Sequence, residues 1–304
     1  MNRILVIRGG AIGDFVLTLP AIKLLRDRFP KAHLEILGYK HIAALAEKRF
    51  YADAVHSIES ASLARFFAKD SDLPAELTNY FASFDLILSY LHDPDRIFET
   101  NVKKLGSATF IAGPPKLDDS ERAALQLARP LTALNLFLTD PSAYLFPTDA
   151  DRNAVKSLQG NMAFHPGSGS ETKNWPIENW IELGNAPLAR SHSLIIIAGE
   201  ADTARTQQLK AEWKNKPVRF AENLPLPHLA ALLEGSAFIG HDSGVSHIAA
   251  AVDARCLLLF GPTDPAIWAP ANANVTVLRA PEEKMELLEV ETVAAALWAA
   301  RELT

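Results

Sequence analysis

Residues 237–260 constrain the fold of this chain more than any other stretch. A short apolar run ends at Gly240, the polar residues Asp242 and Ser243 follow, and small apolar residues then recur at helical spacing. A second apolar run, residues 256–260, stops at the turn sequence Gly-Pro-Thr-Asp-Pro. This pattern predicts a strand, a tight turn, a helix capped by Asp242 and Ser243, and a second parallel strand. Open parallel sheets bind ligands at the carboxyl ends of their strands, where these polar residues lie.

The predicted start of this helix is suited to an anion. The free amide groups of residues 243–245 and the positive end of the helix dipole favour a phosphate. The same residues would be ordinary in a cap that binds nothing, because Asp-Ser-Gly is common turn chemistry. The rest of the chain has to decide between these two interpretations.

The composition predicts a soluble, cytoplasmic α/β protein. The 304 residues carry a net charge of −6, which argues against a nucleic-acid partner, and 48% of them are hydrophobic, enough for two domains. The amino terminus enters a strand pattern without a signal peptide, and no apolar run approaches the length of a membrane span. Cys256, the one cysteine, offers neither a disulfide nor a thiolate metal site. A local surface patch could still bring the protein to the inner face of the cytoplasmic membrane.

Apolar runs alternate with helical stretches along the whole chain, and this alternation predicts doubly wound parallel sheets. The predicted strands cover residues 2–7, 32–37, 54–58, 85–89, 109–112, 162–165, 193–198, 218–221, 237–240, 256–260 and 275–278. The predicted helices cover residues 15–28, 42–48, two stretches within 61–81, 95–105, 117–138 with a break near Pro130, 177–189, 202–215, 226–234, 244–251 and 283–301. Residues 139–149 are rich in turn signals and form the predicted linker. We therefore expect two doubly wound domains, residues 1–145 and 146–304, with the site in the cleft between them.

The first predicted strand ends in a glycine-rich turn that leads to Asp14. Gly9, Gly10 and Gly13 do not have the G-x-G-x-x-G spacing, and the acidic residue of a dinucleotide fingerprint is missing from the end of the next strand. A nicotinamide cofactor is therefore disfavoured.

The second half opens with the loop His-Pro-Gly-Ser-Gly-Ser-Glu-Thr-Lys-Asn-Trp-Pro, residues 165–176. Ser168 and Ser170 can offer hydroxyls and amides to phosphate oxygens, and Lys173 can offer a compact positive charge. A solvated surface loop would have a similar composition, but the predicted topology places this loop at the same sheet edge as Asp242. The nine histidines include no H-x-x-x-H pair, so no metal site is predicted.

Four blocks in order resemble glycosyltransferase family 9, the ADP-heptose:lipopolysaccharide heptosyltransferases. They are Gly13-Asp14 followed by Leu17-Thr18-Leu19-Pro20-Ala21, residues 165–176, residues 242–247 and residues 261–265. The resemblance covers nearly the whole chain. It implies a GT-B architecture, in which two Rossmann-like domains face a central cleft, with the acceptor on the first and the nucleotide sugar on the second. It also implies that the last helix, about 283–301, packs back on the first domain. Transfer would invert the anomeric centre without a metal or other cofactor.

The resemblance also implies roles for individual residues. Asp14 matches the general base of the family, and Lys173 matches its phosphate-contacting lysine. The donor-binding block is matched by Asp242, Ser243, Gly244 and His247. The loop before Lys173 is one residue longer than the family pattern, so the phosphate contact falls on Ser168 or Ser170. The acidic ribose contact falls on Glu200 or Asp202, with Glu200 favoured.

The chemistry of transfer fits these roles. The leaving diphosphate needs its charge neutralised, and the acceptor hydroxyl needs a base. Lys173 and the amides of residues 243–245 would neutralise the diphosphate, with Arg8 as a helper. Asp14 would act as the base for the acceptor hydroxyl. Because Asp242 would repel a phosphate, we expect its carboxylate to turn away and hold sugar hydroxyls.

The sequence thus predicts an inverting glycosyltransferase that moves a sugar, a heptose from ADP-heptose, to a lipopolysaccharide-core or related glycan, either a glycolipid or an oligosaccharide. Two alternatives stay open. A nucleotide-sugar epimerase or hydrolase on the same scaffold would act without an acceptor, and a non-catalytic nucleotide-sugar-binding protein would show no turnover.

Overall fold

Each half of the chain is built around its own parallel sheet. The computed structural model describes the chain except residues 70–71, 107, 159, 161, 186–192 and 303–304, and it describes residues 298–302 by their backbone alone. The chain divides into two units, Met1–Pro141 and Ser142–Thr304.

Five strands lie in the described part of the first unit: β1 Arg3–Arg8, β2 His33–Gly38, β3 Ala54–Ser57, β4 Leu86–Ser89 and β5 Thr109–Ala112. They form one sheet in the order β3-β2-β1-β4-β5, and all of its strand pairs are parallel. Its helices are α1 Ile12–Arg28, α2 Lys40–Ala43, α3 Ala75–Ala82, α4 Ile97–Lys103 and α5 Ala123–Ala128, with 3₁₀ helices at Ala61–Phe67 and Arg129–Leu134. The central strand β1 is buried from Ile4 to Arg8, as expected of a strand covered on both faces.

Among the residues described in the second unit there are six strands: β6 Met162–His165, β7 Leu194–Ala198, β8 Val218–Glu222, β9 Ala237–His241, β10 Arg255–Phe260 and β11 Val275–Arg279. Their order in the sheet is β11-β10-β9-β6-β7-β8, again with parallel pairs throughout. Its helices are α6 Asp149–Ala154, α7 Ile177–Asn185, α8 Thr203–Glu212, α9 Leu226–Leu233, α10 Gly244–Ala251, α11 Pro265–Trp268 and α12 Val290–Glu302. Short 3₁₀ turns lie at Lys156–Leu158, Glu171–Lys173, Glu200–Asp202, Pro281–Glu283 and Met285–Leu287.

Both sheets contain a topological switch point. The strand order reverses between β1 and β4 in the first sheet and between β6 and β9 in the second. At such a point the loops after the two strands diverge and leave a crevice at the carboxyl edge of the sheet. The loops after β1, β6 and β9 contain most of the predicted site residues and flank these crevices, whereas Glu200 lies in the loop after the neighbouring strand β7.

Each unit has its own apolar core. In the first, Leu5 and Ile7 of β1 pack with a group of aromatic side chains that includes Phe66, Phe81 and Phe98. In the second, the core surrounds Trp175 and Trp180, both fully buried, and includes Val293 and Leu297 of α12. Burial of this much apolar surface is the main force that holds each sheet against its helices.

The predicted architecture of two parallel-sheet α/β domains is confirmed, and each predicted strand lies within one residue of its expected bounds. The helices are less well predicted. The helix expected at residues 42–48 is only Lys40–Ala43, because Lys48 adopts a φ of 51° and donates its N–H to the carbonyl of Ala52. The helix expected at residues 177–189 ends at Asn185, and residues 186–189 lie outside the described part.

The break expected near Pro130 is present, but the extent predicted for this helix, residues 117–138, is wrong. The α-helix covers only Ala123–Ala128, followed by the 3₁₀ helix. The side-chain amide of Gln126 holds the backbone of Asp118 and Glu121 in a loop ahead of the helix. Pro130 then has no N–H with which to continue the α-helical pattern.

The last helix begins seven residues later than predicted, at Val290 instead of residue 283. Glu282 and Glu283 adopt φ values of 48° and 62°, which no α-helix accommodates. Met285 and Leu288 are buried, so this segment is held against the core of the second unit. The packing of the last helix on the first unit stays a prediction.

Candidate active site

The loop after β6 in the second unit is shaped by its own hydrogen bonds. The Ser168 hydroxyl donates to the Ser170 carbonyl (2.8 Å) and accepts from the Ser170 N–H (3.3 Å). The Ser170 hydroxyl lies 2.9 Å from the Thr172 hydroxyl, and either can donate. The hydroxyl hydrogen of Ser168 is therefore already used in a hydrogen bond within the loop, whereas the hydroxyl of Ser170 can turn toward a ligand.

Lys173 and Asp242 form an ion pair between the two loops at the β6–β9 switch point. Lys173 Nζ lies 2.6 Å from Asp242 Oδ2, and the side chains are 28% and 10% exposed. The same carboxylate oxygen accepts a hydrogen bond from the Thr263 hydroxyl (2.9 Å). An ammonium has three donors, so the pair leaves Lys173 able to donate to a further acceptor. The expected contact of Asp242 with sugar hydroxyls stays a prediction; the structure shows this carboxylate holding Lys173 and Thr263.

The amino end of α10 lies directly after Asp242. Ser243 is the N-cap, and its hydroxyl accepts a hydrogen bond from the Ser246 N–H. Gly244 is the first helical residue, and both it and Ser243 are half-buried. The amides of the first turn have no partner within the helix, as at every helix start. His247 is buried one turn further along.

A buried polar network lies beneath these loops. His165 lies between the Ser243 hydroxyl (3.3 Å from Nδ1) and the Asp202 carboxylate (3.5 Å from Nε2). His241 Nε2 accepts from the Trp175 N–H (2.9 Å), so its Nδ1 carries the hydrogen that faces the Gly167 carbonyl (3.3 Å). Burial lowers the pKa of His241 to about 3, so this imidazole is neutral.

Asp202 forms hydrogen bonds with residues at the ends of both β6 and β7. Burial works to raise its pKa, but the hydrogen bonds from His165 and from the Gly199 N–H outweigh burial and hold the pKa below its usual value. Gly167 leaves room for this carboxylate, because a Cβ at that position would lie 1.7 Å from Asp202 Oδ1. Glu200, by contrast, is exposed, and its side chain is the more accessible of the two acidic groups for a ligand.

In the first unit, Asp14 occupies the first turn of α1. Its Oδ2 accepts the Ala11 N–H (2.9 Å), and its Oδ1 lies 3.3 Å from Nη2 of Arg8. Gly10 permits this arrangement, because it adopts a φ of 99° and a Cβ there would lie 2.8 Å from Asp14 Oδ2. The Asp14 side chain is 38% exposed, so the carboxylate caps the helix and still faces solvent.

Arg8, the last residue of β1, is almost entirely buried. Its guanidinium carbon lies 5.4 Å from the centre of the Tyr90 ring, within range of a cation–π contact. Burial lowers the pKa of Arg8, and the neighbouring charge of Asp14 opposes that effect. The sequence carries no signal for Tyr90, which is one aromatic residue at the end of an apolar run.

A cavity of about 600 Å³ opens at the carboxyl ends of β4 and β5 in the first unit, with His92 and Phe110 in its lining. Arg96 and Lys103 also line it, and both contact the largely buried carboxylate of Glu99: two bonds of 2.9 Å from Arg96 and one of 2.6 Å from Lys103. These hydrogen bonds, led by Arg96, lower the pKa of Glu99 to about 2.

The remaining residues of the motifs have structural roles. Asp264 caps α11 by accepting the Ala266 N–H (2.9 Å), as the flanking prolines suggest. Cys256 is buried in β10, and burial raises the pKa of its thiol. No group of three His, Cys, Asp or Glu side chains that could hold a metal ion occurs among the described residues.

Solved structures share this fold over the whole chain. A glycosyltransferase family 9 protein from Veillonella parvula matches with a TM-score of 0.81 at 17% identity, covering 100% of this chain and 98% of its own. The Escherichia coli heptosyltransferase WaaC, solved with ADP, matches with a TM-score of 0.72 at 19% identity, covering 98% and 99%. The fold is therefore that of a GT-B glycosyltransferase.

The sequence comparisons identify the family. The Escherichia coli protein lipopolysaccharide heptosyltransferase 3 is 24% identical over 296 residues, which cover 86% of this chain and 84% of that protein. The sequence model of glycosyltransferase family 9 (heptosyltransferase) matches residues 122–296. The chain belongs to this family, and the resemblance found from its four sequence blocks is confirmed.

Proposed function

We propose that this protein is an inverting glycosyltransferase that moves a heptose from ADP-heptose to a lipopolysaccharide-core or related glycan acceptor. The observation that carries the proposal is the Lys173–Asp242 pair beside the open amino end of α10. A fixed cation and a set of free amides at one sheet edge are what a diphosphate leaving group requires. Family membership supports heptose as the sugar, and the ADP bound to the related WaaC supports ADP as the nucleotide.

The donor is held by the second unit in this proposal. Lys173 and the amides of Ser243 and Gly244 neutralise the diphosphate, and His247 is buried in the first turn of the same helix. Ser170 supplies the hydroxyl contact instead of Ser168, whose hydrogen is held by a carbonyl of its own loop. Lys173 donates to the diphosphate with the hydrogens that Asp242 does not take.

Glu200 holds the ribose hydroxyls. It follows β7 at the sheet edge, and its side chain is exposed, whereas the alternative, Asp202, is buried and already accepts from Gly199 and His165. A carboxylate is well suited to this role, because it can accept from two neighbouring hydroxyls.

The acceptor is held by the first unit, and Asp14 takes the proton of its attacking hydroxyl. A general base needs an accessible carboxylate with a fixed orientation, and Asp14 is 38% exposed with both oxygens oriented by neighbours. The cavity beside Arg96 and Lys103 gives part of a glycan room on the same unit. We also propose that the last helix packs back on this unit.

Neutralisation of the diphosphate by Lys173 and the helix amides would allow turnover without a metal ion, so activity should persist in excess EDTA.

No helix among the described residues is long and apolar enough to cross a membrane. We place the protein in the cytoplasm, with peripheral contact at the inner membrane when the acceptor is a glycolipid, and assign it no nucleic-acid partner.

The test is to incubate the protein with ADP-heptose, with and without a lipopolysaccharide that lacks heptose, and to follow ADP and glycan mass. The proposal predicts ADP release that depends on the acceptor and a glycan heavier by one heptose. Release of ADP without acceptor would indicate a hydrolase, a changed sugar an epimerase, and tight ADP binding without turnover a binding protein. Each of these three results would contradict the proposal.

A further inference from the structure

Arg8 is a buried cation whose contacts converge on one catalytic group. Its side chain is 6% exposed, and its Nε is buried with no hydrogen-bond partner among the described residues. A buried donor without a hydrogen-bond partner costs free energy, so burial of the Arg8 side chain lowers the stability of the fold. Nη2 of Arg8 forms an ion pair with the Asp14 carboxylate (3.3 Å) and donates a hydrogen bond to the Asp14 backbone carbonyl (3.4 Å).

The guanidinium of Arg8 also packs against Tyr90. The Tyr90 ring lies under it at 5.4 Å, and the Tyr90 hydroxyl is fixed by a hydrogen bond to the Leu127 carbonyl (2.6 Å). Gly113 packs against the ring so closely that a Cβ there would lie 2.4 Å from it. Strands β1 and β4 are neighbours, so this stack crosses the switch point of the first sheet.

Arg8 therefore completes the orientation of Asp14. The Ala11 N–H binds one carboxylate oxygen and Arg8 faces the other. A carboxylate has about four lone-pair sites, so one or more per oxygen stays available to a substrate hydroxyl.

We propose that Arg8 is a positioning residue that holds Asp14 in the orientation of the catalytic base, and that Tyr90 supports it. This inference rests on the proposed function, in which Asp14 is the base, and it replaces the role of phosphate helper predicted for Arg8 from the sequence. The two roles differ in a measurable way, because a phosphate ligand affects donor affinity and a positioning residue affects the chemical step.

The experiment is a double-mutant cycle. Arg8→Met is made in the parent protein and in the Asp14→Asn background, with Arg8→Lys as the conservative variant and Tyr90→Leu as the change beneath the guanidinium. For each, kcat is measured with saturating donor, the Kd for ADP by calorimetry, and the Tm by thermal unfolding. Arg8→Lys carries the test if Arg8→Met does not fold.

We expect Arg8→Met to lower kcat about tenfold or more, since misplacing a catalytic group has effects of this size. Arg8→Lys should recover part of that loss, and Tyr90→Leu should reproduce part of it. The Kd for ADP should stay within about twofold, and Arg8→Met should change kcat by less than about twofold in the Asp14→Asn background, because coupled residues are not additive.

A tenfold weaker Kd for ADP, or an equal loss of kcat in both backgrounds, would overturn the positioning role and leave the proposed base intact. If the Asp14→Asn single variant keeps the kcat of the parent, Asp14 is not the base. The positioning role of Arg8 is then refuted as well. The two failures are thus distinguishable.

Discussion

Replacing Lys173 by Met is the change that tests the donor site most sharply. Methionine keeps most of the length and apolar contact of the side chain and removes the charge. The lost interaction with the diphosphate is charge-assisted and worth about 1.5–3 kcal/mol, which corresponds to about one to two decades in Kd. The variant also leaves Asp242, only 10% exposed, with the Thr263 hydroxyl as its remaining described partner. That loss should cost about 1 kcal/mol and lower the Tm by about 2–4 °C.

Lys210 provides the matched control. It makes an ion pair of the same length, 2.6 Å, with Glu222 in the same unit, but both side chains are well exposed, at 45% and 41%. Lys210→Met should leave the Kd for ADP unchanged, because an exposed pair contributes little and Lys210 belongs to a helix and not to a loop with proposed donor contacts. Calorimetry with ADP and with inorganic diphosphate should show both ligands weakened by Lys173→Met. An unchanged Kd for both ligands would refute the role of Lys173.

Three further outcomes are expected. Gly167→Ala should lower the Tm and weaken ADP binding, because its Cβ would displace the Asp202 carboxylate, whereas Gly169→Ala, whose Cβ meets no atom within 4 Å, should do neither; equal Tm values would contradict this. Glu200→Gln should weaken ADP about tenfold and leave inorganic diphosphate unaffected, since only the nucleotide carries a ribose; equal effects on both ligands would remove Glu200 from that role. Burial holds the pKa of His241 at about 3 against 6.5 in the unfolded chain. Its contribution to stability is therefore complete above pH 6.5 and declines as the pH falls toward 3. Between pH 7.5 and 5.5 the free energy of unfolding should fall by about 1 kcal/mol more for the parent than for His241→Gln, and equal losses in denaturant titrations would contradict this.

The sheets could be predicted from the sequence for a simple physical reason. A parallel strand buried on both faces is a continuous apolar run, so β1 or β10 is visible without knowledge of its neighbours. The helix ends were harder, because they depend on tertiary contacts. The loop held by Gln126 and the buried Met285 ahead of the last helix have no local signal.

The candidate site was predictable as a set of loops but not as a set of contacts. Sequence blocks placed Lys173 and Asp242 at one sheet edge, yet the pair joins residues 69 positions apart, and only the folded sheet brings them together. The choice between Glu200 and Asp202 depends on burial, which two acidic residues in the same turn do not reveal. The stacking of Arg8 on Tyr90 could have been suspected only from the pairing of β1 with β4.

The turnover of Asp14→Asn tests the central claim most directly. Asparagine retains an oxygen that can accept the Ala11 N–H, so the helix cap, worth about 1 kcal/mol, is kept. It cannot take a proton from an acceptor hydroxyl, a role worth about two to four decades in rate. With ADP-heptose and a heptose-free acceptor, we predict a near-parent Kd for ADP and turnover at least about a hundredfold lower. The Tm should fall by only about 2–4 °C, because the buried Arg8 loses its charged partner. Sugar transfer by the variant at close to the parent rate would show that Asp14 only caps its helix and would contradict the account.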